Sequence, residues 1–144
     1  MITRIFIMVS IFFVSPALGH DNVQNLAVKM RMQAMKEMAQ NMKKLKGLST
    51  GSIIFDKTKA YSIVVRIGEL AEKTPALFQK EASDPESEAK PEIWLEYQDF
   101  SSKAENLKKI AFELSQKITN SEDAKSALRE LGGGCKACHQ VYKN

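Results

Sequence analysis

The chain has 144 residues, of which 44% are hydrophobic and 26% are charged, and its formal net charge is +4. This length suits one domain with a hydrophobic core and falls short of what two domains need. So small a positive charge is not the signature of a nucleic-acid-binding protein.

The first 19 residues have the layout of a secretory signal peptide. Arg4 precedes an apolar run of ten residues (5–14), and the small-residue sequence Ala17-Leu18-Gly19 follows. The run is too short to cross a bilayer of ~30 Å as a helix, and no later segment approaches the ~20 apolar residues required. We therefore predict cleavage after Gly19 and a soluble, exported mature protein that forms one domain over residues 20–144.

The first predicted helix has Asp21 as its cap, since Gln24 lies three residues later as the reciprocal partner, and it runs to Gly47. Polar and apolar side chains occupy opposite arcs of its helical wheel. Arg31 lies in the middle of the apolar arc, so its guanidinium must reach solvent or meet an anion to avoid a large desolvation cost. All the methionines of the mature chain lie in this helix: Met30, Met32, Met35, Met38 and Met42.

A Gly/Ser/Thr-rich link (48–52) separates this helix from a second one. The helical spacing of small and apolar residues places the second helix between about Asp56 and Thr74. Pro75 marks the start of its end, and the polar segment 80–90 is predicted to be a solvated loop. Pro91 suits the first turn of a third helix, in which apolar residues repeat at alternating spacings of four and three as far as Ile118.

Asn120 or Ser121 can cap a fourth helix, whose acidic first turn suits the helix dipole. Its apolar seam repeats the same alternation and includes Cys135 and Cys138. Four amphipathic helices of about 20 to 28 residues, with no strand pattern, predict an all-α fold, an antiparallel four-helix bundle. Such bundles build cofactor sites in the core from residues on facing helices.

The last predicted helix contains the run Cys-Lys-Ala-Cys-His at residues 135–139, the spacing of covalent haem attachment. The two thiols add across the vinyl groups of the porphyrin, and His139 offers an imidazole to the iron. On a helix, Cys135, Cys138 and His139 fall within an arc of roughly 100°, so one face can hold both thioethers and the axial ligand. We therefore predict one haem c as cofactor. Attachment of this kind takes place outside the cytoplasmic membrane, so it predicts the periplasm independently of the signal peptide.

Three other interpretations of the cysteine pair are less consistent with the sequence. A dithiol redox centre lies where a strand meets a helix, and no strand-like alternation occurs near residue 135. A structural zinc ion needs about four ligands, whereas the only other His or Cys is His20. A disulfide would close a very small loop with little entropic gain. A haem-free dithiol oxidoreductase stays as a remote alternative.

A haem in the core would provide binding partners for the side chains of Arg31 and Met35. The haem brings two propionates, and an arginine binds a carboxylate bidentately. Met35 lies one turn after Arg31 on the same face, so it would lie over the porphyrin opposite His139, where its thioether can fill the sixth coordination position. The glycine triplet 132–134 either lets the porphyrin edge approach the backbone or marks a helix break before the motif.

The C-terminal C-x-x-C-H motif, the exported chain of this size and the four-helix pattern together resemble the class II c-type cytochromes, the cytochrome c′ and cytochrome c-556 family. Further matches are Ala27-Val28-Lys29-Met30-Arg31 with Met35, Lys46-Gly47, Pro91-Glu92-Ile93-Trp94, and Tyr142-Lys143 after the motif. The resemblance implies that Arg31 contacts a haem propionate. It also implies that residue 35 distinguishes low-spin c-556 types, with a methionine as sixth ligand, from c′ types with five-coordinate iron. Met32 departs from the pattern, since many relatives carry Gln there.

Two haem-protein functions are consistent with these residues, and neither is enzymatic. An electron carrier would use His139 and Met35 as iron ligands. A gas-binding protein would keep His139 alone on the iron and admit nitric oxide or carbon monoxide to an apolar distal face. The carrier is favoured because Met35 is a competent ligand at the right position. Its partners would be periplasmic redox proteins. An acidic partner could be steered by the basic residues Lys36, Lys43, Lys44, Lys108 and Lys109. The resemblance also implies that a homodimer can form.

Overall fold

The computed structural model describes residues 22–144, and five α-helices account for most of them. Their bounds are α1 Leu26–Thr50, α2 Lys57–Leu77, α3 Glu92–Leu95, α4 Tyr97–Lys117 and α5 Ser121–Tyr142. The four long helices form a ring in which α1 packs between α2 and α5, and α4 packs between the same two. The all-α four-helix bundle predicted from the sequence is confirmed.

Neighbouring long helices run antiparallel, as pairs of contacts along α4 and α5 show. The hydroxyl of Tyr142, at the end of α5, lies 2.6 Å from Oδ2 of Asp99, at the start of α4. Nearer the middle of both helices, a Cβ on Gly134 would lie 2.9 Å from Cδ1 of Leu107. The end of α5 that carries the cysteine motif therefore lies beside the beginning of α4.

Polar side chains cap three of the long helices. Asn120 caps α5 and is one of the two caps that the sequence predicts there, whereas no cap was predicted for α2, which Asp56 caps. Asn25 caps α1 by accepting hydrogen bonds from two amides of the first turn. The prediction that Asp21 caps the first helix is wrong, because the helix begins only after Asn25. The carboxylate of Asp84 accepts the amide hydrogens that precede α1, which holds that stretch outside the helix. Asp21 itself lies outside the described residues.

The helix α1 continues to Thr50, three residues beyond the end predicted at Gly47. Its C-cap is Gly51, whose φ of 76° is in the left-handed region that favours glycine. Gly47 stays helical and makes room for a returning side chain, since a Cβ there would lie 2.6 Å from Cδ1 of Ile53. The helix α2 likewise ends three residues later than predicted, at Leu77.

The single third helix predicted from the sequence is in fact two helices. Glu96, with φ −120° and ψ 38°, separates α3 from α4. Two hydrogen bonds to the end of α2 account for the bend: Nε1 of Trp94 donates to the carbonyl of Phe78 at 2.8 Å, and the hydroxyl of Tyr97 donates to the carbonyl of Pro75 at 2.6 Å. Both aromatic side chains reach these carbonyls only because the chain turns between them.

Two buried clusters form the core, and they meet beside the cysteine motif. The larger cluster contains residues of all four long helices. The smaller cluster is mostly aromatic and consists of Phe78, Ile93, Phe100 and Tyr142. Met35 packs against both clusters, whereas Cys135 packs against the larger and Cys138 against the smaller. The motif therefore lies at the junction of the two clusters.

Within residues 22–144, none of the helices is both long enough and apolar enough to cross a membrane. The predicted signal peptide, residues 1–19, lies outside the described residues. The division into a cleaved segment and a domain over residues 20–144 therefore stays a prediction.

Candidate haem-binding site

Two adjoining cavities, of about 320 and 160 Å³, open among the long helices. Four residues border both of them: Met35, Thr74, Cys138 and His139. The larger cavity also reaches Cys135, and the rest of its wall is mostly apolar. The smaller cavity extends to Arg31 and to the segment 86–89. The structure thus brings all five sequence-predicted site residues to one cleft.

Both cysteines of the motif are free thiols that are partly buried in this cleft. Burial is the main cause that raises the pKa of the Cys135 thiol, and likewise that of Cys138. Reactive dithiol centres need the opposite, a lowered thiol pKa that populates the thiolate at neutral pH. The raised pKa values of the two thiols therefore give no sign of a reactive dithiol centre.

The residues that the structure describes offer no set of ligands for a structural zinc ion. Within residues 22–144, no three His, Cys, Asp or Glu side chains cluster so as to hold a metal ion. The remaining histidine, His20, lies outside this range.

His139 occupies the last turn of α5, one residue after Cys138. It borders both cavities on one side and solvent on the other. Burial, and next to it the positive charge of Lys143, hold the pKa of His139 below its usual value. The neutral imidazole, which is the form that binds iron, is therefore the form present at neutral pH.

Arg31 is buried, with only 3% of its surface exposed, so the alternative that its side chain reaches solvent is wrong. Its partners are three backbone carbonyls, one at the end of α2 and two in the segment that follows it. Nε donates to Leu77 at 2.9 Å, Nη1 donates to Ala82 at 3.1 Å, and Nη2 donates to Lys80. Sequence reasoning predicted an anion and missed these carbonyls.

Aromatic rings also hold the guanidinium of Arg31. Its central carbon lies 4.7 Å from the ring centroid of Phe78 and 5.4 Å from that of Trp94, distances at which cation–π attraction operates. Three of the five N–H groups are used by carbonyls, which leaves two on the Nη atoms. Since Arg31 also borders the smaller cavity, a carboxylate placed there can accept them.

The methionines of α1 are not equivalent. Met30 is 48% exposed and borders neither cavity. Met38 and Met42 border only the larger cavity, and Met32 borders only the smaller one. Met35 borders both, on the helix that packs against the motif helix α5.

Sequence reasoning missed two polar residues of the cleft. Thr74 borders both cavities, and its hydroxyl donates to the carbonyl of Leu70 at 2.8 Å. The helical spacing that includes Ala71 continues to Thr74, so the pattern could have found it. Lys103 borders the larger cavity, where its ammonium lies 3.3 Å from the carboxylate of Asp99.

The glycine triplet lies within an unbroken helix, so the alternative of a helix break before the motif is wrong. Gly134 leaves room for Leu107, which would have to shift to admit a Cβ 2.9 Å away. A Cβ on Gly132 would lie 3.9 Å from Cε of Met42, and a Cβ on Gly133 would meet nothing within 4 Å. Close approach of a porphyrin to this stretch of backbone stays a prediction.

Comparison with known proteins decides the family. A family model described as cytochrome c′ matches residues 26–143. The chain belongs to the cytochrome c′ family. Cytochrome c-554 of Cereibacter sphaeroides is 31% identical to it over 136 residues, which cover 89% of this chain and 88% of that protein.

Solved structures share this fold. The structural model of oxidized cytochrome c556 from R. palustris has a TM-score of 0.76 at 23% identity, covering 84% of this chain and 98% of that one. The nitric oxide complex of a mutant cytochrome c prime from Alcaligenes xylosoxidans has a TM-score of 0.71 at 25% identity, covering 82% of this chain and 94% of that one. The bundle is thus a cytochrome c′ fold.

Members of the cytochrome c′ family bind covalently attached haem c, and haem c is the cofactor predicted from the motif. The residues of the cleft fit this group. Two partly buried thiols border the cleft where its vinyl groups would bind, and the imidazole of His139 follows them on the same helix. A mostly apolar wall faces them from the other long helices, as a porphyrin requires.

Proposed function

We propose that the protein is an electron carrier in which haem c, attached to Cys135 and Cys138, has His139 and Met35 as axial ligands. One observation carries this proposal: Met35 and His139, on the neighbouring helices α1 and α5, both border the two cavities of the cleft. When bound, haem c supplies one-electron chemistry between ferrous and ferric iron.

The side chains of the cleft set how such a carrier behaves. A thioether ligand from Met35 raises the reduction potential, because it favours ferrous over ferric iron. Met38 and Met42 extend the apolar wall of the larger cavity and keep water away from the reacting centre. Thr74 brings a hydroxyl to the same cleft, but that hydroxyl already donates to Leu70.

Arg31 is assigned to a propionate of the haem. Its two remaining N–H groups and its position beside the smaller cavity support this role. Because the guanidinium is fixed by three carbonyls and two aromatic rings, it is preorganised for a carboxylate. The site therefore orients the cofactor at its polar edge as well as at the iron.

A gas-binding protein is the second candidate, with His139 as the sole axial ligand and Met35 as a non-bonding apolar neighbour. It is supported by the solved neighbour from Alcaligenes xylosoxidans, which is a nitric oxide complex. In this alternative the apolar cleft admits nitric oxide or carbon monoxide to the open position of the iron.

Replacement of Met35 distinguishes the two candidates. Met35→Ala should convert a low-spin ferric spectrum into a high-spin one and open the ferrous protein to carbon monoxide. Met42→Ala is the matched control, because Met42 lies on the same helix and borders only the larger cavity; it should stay low-spin and closed to carbon monoxide. A wild-type protein that is already high-spin, or an unchanged Met35→Ala spectrum, would favour gas binding.

We also propose that the protein acts in the periplasm, with redox proteins as partners. The signal-like residues 1–19 and the periplasmic location of family members support this. The intact mass of the isolated protein should equal residues 20–144 plus one haem, and the haem should survive denaturation. A retained N-terminus would contradict export, and a haem-free mass would favour the dithiol oxidoreductase.

The basic residues expected to steer an acidic partner differ in their surroundings. Lys36 and Lys109 are exposed and available. Lys108 instead pairs with Glu105 and Glu72, with Nζ to Oε1 distances of 2.6 and 3.5 Å. Lys43 and Lys44 are exposed near the end of α1. The homodimer stays a prediction.

A further inference from the structure

A loop between α1 and α2, residues 51–54, holds Ile54 in solvent at one end of the bundle, with Ile53 half-exposed beside it, and we call it the tip loop. Ile54 is 90% exposed and Ile53 is 44% exposed. The loop is fixed by the positive φ of Gly51, and by the amide of Ile53, which donates to the carbonyl of Gly47 at 3.0 Å. On the other side, Phe55 packs against the larger core cluster. Anchors on both sides therefore hold Ile54 outward.

Exposed lysines from both helices surround the tip loop: Lys43, Lys44 and Lys46 of α1, and Lys57 and Lys59 of α2. Two shallow grooves border Ile53, and among the described residues neither includes an acidic side chain. Asp56 is the one acidic residue of the segment 43–59. Its carboxylate caps α2 and lies 3.7 Å from Nζ of Lys59. The segment 43–59 is thus strongly positive, with five lysines against one aspartate.

We propose that the tip loop docks the protein on an anionic lipid bilayer, with Ile54 in the bilayer interface and the lysines on headgroup phosphates. The exposed aliphatic side chain suits the boundary of the acyl chains, and the lysines around it suit the anionic headgroups.

The position of the tip loop in the bundle supports a lipid partner over a redox protein. Thr50, where α1 ends, lies about 22 Å along the helix axis from Met35. The motif residue His139 lies at the far end of the antiparallel neighbour α5. A bilayer at the tip loop therefore leaves the haem end free for electron exchange. This inference goes beyond the proposed function and does not depend on the iron ligands.

Co-sedimentation with vesicles tests the proposal, using exported holoprotein whose mature N-terminus is verified by mass. We expect binding to vesicles of equal parts phosphatidylglycerol and phosphatidylcholine, weakening as salt is added, and no binding to phosphatidylcholine alone. The triple variant Lys43→Gln, Lys44→Gln and Lys46→Gln should bind about fivefold more weakly for each lysine removed. Ile54→Ser should also weaken binding, and the haem spectrum should stay unchanged in both.

Matched controls lie elsewhere on the surface. Leu95→Ser removes an aliphatic side chain that is 80% exposed at the opposite end of the bundle. A triple change of Lys29, Lys36 and Lys109 to Gln removes equal charge, and both controls should keep most of the binding. The proposal is overturned if wild type ignores anionic vesicles, or if the controls weaken binding as much as the tip-loop variants. Binding to polyglutamate without binding to vesicles would overturn it in favour of an acidic protein partner.

Discussion

At the scale of single residues, Arg31 shows how a buried cation is stabilised without an acidic partner. Each of its nitrogens donates to a backbone carbonyl of the segment 77–82, and two aromatic rings flank its guanidinium. Burial alone lowers the pKa of an arginine, yet its high intrinsic value keeps the guanidinium charged. Arg31 therefore ties α1 to the chain that follows α2.

Loss of the contacts of Arg31 should lower the free energy of unfolding. Arg31→Met should lower the free energy of unfolding by about 3 kcal/mol, because three backbone carbonyls lose the hydrogen bonds that the buried, charged guanidinium donates to them. Urea unfolding followed by circular dichroism measures it, and Lys29→Met, exposed on the same helix, should stay within about 0.5 kcal/mol of wild type. A loss below about 1 kcal/mol for Arg31→Met would show that the segment does not depend on this residue.

The sequence predicted that Arg31 needs a partner, because its charge interrupts the apolar arc of the first helix. The identity of the acceptors was not predictable, since the path of the backbone over residues 77–82 is set by tertiary contacts. Trp94 and Phe78 meet Arg31 from other parts of the chain for the same reason.

At the scale of the helices, side-chain periodicity located the elements, and individual hydrogen bonds decided where they end. The predicted cap Asn120 is confirmed because the deciding contact is local: its side chain accepts from the amide of Asp123. The start of α1 depends instead on Asp84, which accepts the amides of Gln24 and Asn25 across 60 and 59 residues of sequence. Contacts of that range cannot be predicted from a periodic pattern.

An ion pair between α1 and α2 makes the free energy of unfolding depend on pH. Arg66 donates to both carboxylate oxygens of Glu37, at 2.7 and 3.1 Å, and this hydrogen bonding is the main cause that lowers the pKa of Glu37. A carboxyl whose pKa is lowered by folding adds stability that is complete above its unfolded-state pKa of about 4.3. That stability is lost as pH falls through the folded-state pKa.

Glu37→Gln should lower the free energy of unfolding by only about 0.5 kcal/mol at neutral pH, since both side chains are more than a third exposed. The difference from wild type should vanish in acid, below the folded-state pKa. Urea titrations across pH measure it, with Glu130→Gln, exposed on α5, as control. A difference that persists unchanged in acid would mean that the lost stability is not electrostatic.

At the scale of the whole molecule, the antiparallel ring of long helices brings the end of α5 and the middle of α1 to one cleft. The spacing of Cys135, Cys138 and His139 predicted one wall of that cleft, and the helical wheel predicted Met35 as the other. Thr74 and Lys103 complete it from α2 and α4, and sequence reasoning missed both. Their place depends on how those helices rotate about their axes, which packing of the whole core decides.

The larger core cluster should dominate the stability of the bundle. Leu131, which is fully buried, belongs to it, so Leu131→Ala should lower the free energy of unfolding by about 3 kcal/mol through lost burial and a residual cavity. Ile54→Ala, at the exposed tip loop, should change it by less than about 0.5 kcal/mol. Urea unfolding of both holoproteins measures the contrast. Equal effects would contradict the assignment of the core.

X-ray absorption at the iron edge of the ferric holoprotein tests the proposed ligation of the haem iron by Met35 and His139. We expect a first coordination shell of five nitrogens and one sulfur, with the sulfur absent in Met35→Ala. A wild-type first shell without sulfur would contradict it.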